Sequence, residues 1–242
     1  MLAERAPHLL NSVEESLSFL NGRSVGIDID AVTQATYILA LRKVSKTFGK
    51  VISKDHLKTY WELVNIVQKN GISADEALGY AKGAWNNEEV FGNAPEMPGI
   101  RSLMMVFNEI GVPYVFMSSR PVKFEAVTRR WFKDEFPWVP SENIILGRKD
   151  GESGGKFKSE AIQKHNVGLH IEDVMDEALE IAKTAHIPVL VVPQPWNVHE
   201  DANHQLIRTL GNYSDWDGAW PVLRFLVSKQ AKTFFGNVAQ CH

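Results

Sequence analysis

The 242-residue sequence predicts an α/β fold: a doubly wound parallel sheet with a small helical cap inserted after its first strand. Three observations carry that reading. Short β-branched apolar runs alternate with segments of helical period, one gap between runs is far longer than a crossover needs, and that gap itself has helical spacing. With 44% hydrophobic and 23% charged residues the chain is ordinarily globular, which excludes a disordered, collagen-like or disulfide-framework protein. A formal charge of -3 and a pI near 6.2 give no electrostatic reason to bind nucleic acid non-specifically.

The candidate strands are Val25 to Ile29, Pro113 to Met117, Asn143 to Leu146, Val167 to Ile171 and Pro188 to Val192. Val122 to Phe132, Phe157 to His165 and Asp176 to Ala185 keep helical period between the later ones, as parallel strands with helices on both faces require. The inserted segment, residues 33–96, carries Leu57, Trp61, Val64 and Val67 at helical spacing. A Ser73-Ala-Asp-Glu76 capping box then opens a further helix. The predicted division is therefore a core of residues 1–32 and 97–242 and a cap of 33–96. Leu10, Val13, Leu17 and Leu20 before the first strand, and Trp216, Trp220, Leu223 and Val227 near the other end, mark helices that pack on the core. The single cysteine, Cys241, has no partner for an internal disulfide, which fits a reducing compartment. No apolar run approaches the roughly 20 residues of a membrane-spanning helix. Glu4, Glu14 and Glu15 stand where a signal peptide would be apolar, so a cytoplasmic location is expected.

In sheets of this kind ligands bind at the carboxyl ends of the strands, so the residues after each run are the ones to read for chemistry. The first ends in Gly26-Ile-Asp28-Ile-Asp30, with two carboxylates expected on one side of the strand. Such a pair repels unless a cation, a shared proton or full hydration relieves it, and hard oxygens suit Mg²⁺. The second closes as Met117-Ser118-Ser119-Arg120-Pro121, with hydroxyls, backbone N–H groups and a cation suited to phosphate oxygens. The fourth closes on Glu172 and Asp173, and Lys156 and Lys158 open the helix that leads into it. Hydroxyl, lysine and two acidic sites at successive strand ends are the parts of a phosphoryl-transfer centre, where the protein supplies positioning and charge stabilisation.

These four features, in this order, resemble the motifs of the haloacid dehalogenase superfamily: Asp-x-Asp after strand one, Ser or Thr after strand two, Lys before strand four and an acidic pair after it. The likeness spans about Ser24 to Asn197. Pro95 to Pro121, Leu169 to Leu179 and Val189-Leu-Val-Val-Pro-Gln-Pro-Trp-Asn197 further resemble its 5'-nucleotidase C-type branch, which includes the 5'(3')-deoxyribonucleotidases. The resemblance implies a Rossmann-like core and a Mg²⁺-dependent phosphatase with Asp28 as nucleophile and Asp30 as acid/base. It also implies phosphate contacts from Ser118, the Ser119 N–H and Lys158. Asp28, the Asp30 carbonyl and Asp173 would hold Mg²⁺, with Glu172 supporting them from behind. Lys158 sits at the family's usual distance from strand four, whereas Lys156 follows two glycines that read as a flexible loop. Two positions depart from the pattern. Ala31 stands where the family most often has Gly, and Pro193-Gln194 replaces a stretch where an acidic or amide residue is common and reads as structural.

Other motifs carry less. Gly151-Glu-Ser-Gly-Gly155-Lys156 lacks the first Gly and the final Ser or Thr of a P-loop, and no Gly-x-Gly-x-x-Gly follows the first strand. His165, His170, His186, His199 and His204 show no zinc spacing, and Asp215-Trp-Asp217 precedes a helix it would cap. Tyr37, Trp61, Trp85 and Phe91 of the cap either stack on a nucleobase or pack the cap, and Arg120 meets either phosphate or an acidic neighbour. The expected function is hydrolysis of (deoxy)nucleoside monophosphates through an aspartyl-phosphate. Sugar phosphates or other small phosphoesters are the alternative substrates, and a catalytically silent phosphate-binding or interaction protein is the alternative of another class. A small-molecule phosphomonoester is the expected partner, with no nucleic-acid polymer and no membrane, and homodimerisation is left open.

Overall fold

The computed structural model of the protein describes residues 7–59, 62–200, 203–211 and 218–239. Glu4, Trp61, Asp215 to Asp217 and Cys241, all used in the sequence reading, lie outside the described residues. Helix α1 (Pro7–Leu17) leads into strand β1 (Ser24–Asp28). Four helices follow: α2 (Thr36–Phe48), α3 (Glu62–Gln68), α4 (Ala74–Trp85) and α5 (Glu88–Asn93). Then come α6 (Ile100–Glu109), β2 (Tyr114–Met117), α7 (Glu125–Glu135), β3 (Ile144–Ile145), α8 (Gly154–Lys164), β4 (Val167–Glu172) and α9 (Met175–Thr184). Strands β5 (Val189–Val191) and β6 (Ile207–Thr209) and helices α10 (Trp220–Leu226) and α11 (Lys229–Ala239) complete the order.

All strand pairs are parallel, in the order β3-β2-β1-β4-β5-β6. The doubly wound sheet read from the sequence is borne out, and β6 is an addition to it. Alternation along the strands builds two core layers. Ile27, Phe116, Ile171 and Leu190 pack with α1, α6, α7, α10 and α11 on one face. Val115, Met117, Val189 and Val191 pack with α8 and α9 on the other. Gly26 is needed between them, because a Cβ there would sit 2.6 Å from the His170 ring nitrogen.

Helices α2 to α4 and the segments joining them form a separate hydrophobic cluster around Tyr37, Leu41, Leu57, Leu63 and Val67. The capping box at Ser73 and Glu76 is present, with the Ser73 hydroxyl accepting from the Glu76 N–H. Gly154 and Gly155 form the first turn of α8 rather than a flexible loop. Close approach favours glycine there, since a Cβ on Gly154 would lie 2.9 Å from the Ser119 Cβ and would displace the Glu177 carboxylate. Among the described residues no helix is long and apolar enough to cross a membrane.

Candidate active site

The reversal of strand order between β1 and β4 opens a crevice at their carboxyl ends. A cavity of about 430 Å³ lies there, between the strand ends and the inserted helices. Asp28 closes β1 and is buried; Asp30 stands in the following turn, past the strand end, and both line the cavity. The turn is held by Thr33, whose hydroxyl donates to the Asp28 carbonyl at 2.7 Å, and by the Gln34 N–H, which donates to the Ile29 carbonyl at 2.7 Å. Ala31 takes a φ of 56° within it. The glycine expected from the resemblance would relieve that conformation, which costs an L-residue about 1–2 kcal/mol. The Gln194 amide from the loop after β5 donates to the Ala31 carbonyl at 2.9 Å and so helps to hold the strained turn.

Helix α8 brings the Lys158 ammonium, 2% exposed, between three carboxylates: Asp28 at 2.5 Å, Glu172 at 2.6 Å and Glu177 at 2.7 Å. Lys156, two residues away, is exposed and faces Glu160 at 3.9 Å. The two lysines left open by the sequence are therefore placed very differently. Ser118 is fully buried, donating to Asp30 at 3.1 Å and accepting from the Arg120 N–H at 3.2 Å. Ser119 lines the cavity, its hydroxyl on Glu177 at 3.3 Å. Arg120 meets the acidic neighbour: Nε and Nη2 each donate to an oxygen of Asp30 at 2.9 Å. Its remaining contacts are Gln34, Thr128 and the face of Phe91, 4.0 Å from the ring centroid.

Charge is out of balance in this crevice. Asp28, Asp30, Glu152, Glu172, Asp173 and Glu177 face the cavity with Lys82, Lys158, Arg120 and Arg148. Burial, then the neighbouring carboxylates, pushes the Asp28 carboxyl well above its ordinary range against the pull of Lys158, and Asp173 is raised for the same reasons. Burial opposes ionisation of Asp30 too, but the Arg120 charge and the bonds from Arg120, Thr36 and Ser118 outweigh it and hold the carboxyl low. Burial is also overcome at Glu172, where Lys158 and His170 bring the carboxyl down to about 2. The Lys158 ammonium is stabilised by its three carboxylates well beyond the cost of burial.

Ligand oxygens of Asp28, Glu172 and Asp173 lie within 4.8 Å of one another, a donor set of hard oxygens that fits a small divalent cation. Glu172 already accepts from Lys158, His170 and the N–H groups of Asp173 and Val174, which suits it to orient its neighbours. The raised Asp28 and Asp173 carboxyls are what a bound cation would reverse.

Of the cap aromatics, Tyr37 packs against Trp196 inside the cap cluster, whereas Trp85 and Phe91 line the cavity. Glu177 and Trp196 were not singled out from the sequence. Each follows a strand by a few residues, Glu177 on the first turn after β4 and Trp196 after β5, so reading every strand end to the next turn would have found them.

No family model matches the sequence. Two curated relatives do. "Putative nucleotidase BH1399" of Halalkalibacterium halodurans is 23% identical over 175 residues, 71% of this chain and 80% of the relative. "Putative nucleotidase YqfW" of Bacillus subtilis is 28% identical over 180 residues, 72% and 81% of the two chains. Among solved structures, a haloacid dehalogenase hydrolase of family IA, variant 3, from Entamoeba histolytica superposes with a TM-score of 0.52 at 14% identity, covering 85% of this chain and 99% of that one. A protein titled "a predicted phosphatase" from Clostridium acetobutylicum also reaches 0.52 at 14% identity, covering 80% and 94%. The resemblance read from the four motifs is borne out: the solved structures share the fold, and both curated relatives are named "Putative nucleotidase".

Proposed function

We propose that the protein is a Mg²⁺-dependent phosphomonoesterase that hydrolyses (deoxy)nucleoside monophosphates through an aspartyl-phosphate on Asp28. The observation that carries this is the buried Asp28–Lys158 pair beside Glu172 and Asp173, at the floor of a cavity whose opposite wall is built from inserted helices. Asp28 and Asp173, with the Asp30 carbonyl, are the groups proposed to hold Mg²⁺. When bound, the ion screens the phosphate charge from the attacking carboxylate.

Lys158 is the cation beside the nucleophile, and its bond to Glu172 fixes where the ammonium sits. An oxygen of Asp28 attacks phosphorus; the P–O bond to the leaving group breaks, and the departing alkoxide takes a proton from Asp30. Asp30 then removes a proton from water, whose oxygen attacks the aspartyl-phosphate, releasing inorganic phosphate and restoring Asp28. In the resting geometry Arg120 holds both Asp30 oxygens as carboxylate. The acid role requires that carboxyl to turn off Arg120 and gain a proton, and an incoming phosphate competes for the same guanidinium.

The core residues recognise only the phosphoryl group, so the leaving group is chosen by the cap, residues 33–96. Leu57, Leu63, Val64 and Trp85 give the cavity an apolar wall with Lys82 as its one cation among the described cap residues, which favours a flat, uncharged nucleoside over a second anionic group. Phosphate release across nucleoside monophosphates, their deoxy forms and hexose phosphates, with Mg²⁺ and with chelator, tests the proposal. Higher kcat/KM for nucleotides, lost with chelator and reduced selectively by Trp85→Ala, is expected. Equal or better turnover of hexose phosphates would move the reading to sugar phosphates.

A further inference from the structure

The loop after β5 begins as Val192-Pro193-Gln194-Pro195-Trp196-Asn197, and its two prolines restrict how the backbone can turn. Asn197 fastens it. Its side-chain amide donates to the carbonyls of Asp173 at 2.6 Å and Val192 at 2.9 Å, and its carbonyl oxygen accepts from the Gln194 N–H at 2.9 Å. Gln194 reaches the Ala31 carbonyl, so the loop is bonded to the turns that carry both acidic motifs. Trp196 extends from this frame with its indole N–H on the Asp173 carboxylate, 3.1 Å from Oδ2. Its ring, 5% exposed, belongs to the hydrophobic cluster of the cap and meets Tyr37 edge-on, with centroids 6.0 Å apart.

Resting on the reading of Asp173 as a magnesium carboxylate, we propose that Trp196 is a positioning residue that sets the Asp173 carboxylate and ties its orientation to the packing of the cap. An indole N–H is a neutral donor with one direction. It restricts the carboxylate's rotation without cancelling the negative charge a divalent cation needs, as a lysine or arginine there would. Because the ring is wedged in the cap cluster, a change in cap packing reaches Asp173 through a rigid side chain.

The test measures Mg²⁺ binding calorimetrically on the full chain without substrate, so turnover does not enter. Trp196→Phe keeps a ring in the cap cluster and removes the N–H together with part of the indole; affinity should fall roughly 10- to 100-fold, the usual loss when a group orienting a metal ligand is removed. The smaller ring should lower the melting temperature in chelator modestly, and a purely structural role would show that loss with the affinity spared. Tyr37→Leu, which loosens the ring from the cap while keeping the N–H, should also weaken Mg²⁺ binding, by a smaller factor, and carries the test if Trp196→Phe does not fold. Wild-type affinity in both variants, with Asp173→Asn unable to bind, would overturn the inference and leave the magnesium reading standing. Failure of the wild type itself to bind Mg²⁺ would overturn both.

Discussion

Replacing Lys158 by Met removes the cation at the centre of the site and keeps a side chain of similar length. Asp28, Glu172 and Glu177, 2.5 to 2.7 Å from the ammonium, would then face one another where the buried lysine had stood. Breaking one partner out of a buried ion pair costs about 3–5 kcal/mol, because the remaining charge stays desolvated. Protonation of Asp28, already favoured by burial, absorbs part of that cost, so the lower end is expected. For a chain of this size 3 kcal/mol corresponds to roughly 6–12 °C in melting temperature. Turnover should fall further, by about 10²–10³ in kcat, as when one preorganised donor to a transferring group is lost. Lys156→Met is the matched control. Its pair with Glu160 is 3.9 Å apart and more than half exposed on both sides, so its loss should change stability by no more than about 0.5 kcal/mol. Melting curves in chelator and phosphate release with Mg²⁺ read both quantities. A Lys158→Met protein that melts and turns over like wild type, or a larger loss in Lys156→Met, would refute the assignment of the buried cation.

Asp28→Asn should abolish phosphate release yet raise the melting temperature in chelator, because it deletes a carboxyl that burial already disfavours as an anion; a destabilised variant would contradict the charge argument. Stability without metal should depend on pH in two windows. Asp28 and Asp173, raised well above 3.8, keep protons in the fold that the unfolded chain releases, so their contribution is complete below about pH 3.8 and is lost as pH climbs through the raised values. Glu172, lowered from 4.5 to about 2, stabilises fully above about pH 4.5 and loses that contribution as pH falls toward 2. Since Mg²⁺ binds the ionised carboxylates, the rise in melting temperature on adding it should be larger at about pH 8 than at about pH 5. An equal rise at both would place the ion elsewhere.

The alternation of apolar runs made the sheet legible because each central strand is buried on both faces, and burial leaves a continuous mark on composition. Strand β6 left no such mark: Ile207–Thr209 is three residues long with an exposed Arg208, and its pairing with β5 comes from tertiary packing. The same divide runs through the candidate site. Asp28, Asp30, Ser118, Glu172 and Asp173, with Lys156 and Lys158 as alternatives, could be listed because strand ends converge on one crevice and hard oxygens, hydroxyls and cations stand there together. What each group touches was not legible, since it depends on directions set by helix placement. Nothing in the spacing distinguishes an Arg120 free for phosphate from one locked across Asp30, Gln34 and Phe91. Likewise Gln194 belongs to a loop that reads as structural, and its contact with the turn after β1 is not visible in the spacing. Its amide holds the carbonyl of the strained Ala31 and so helps to maintain the turn that follows Asp30. Residues that react need particular functional groups and so announce themselves by type; residues that position them need only the right direction, which exists after folding.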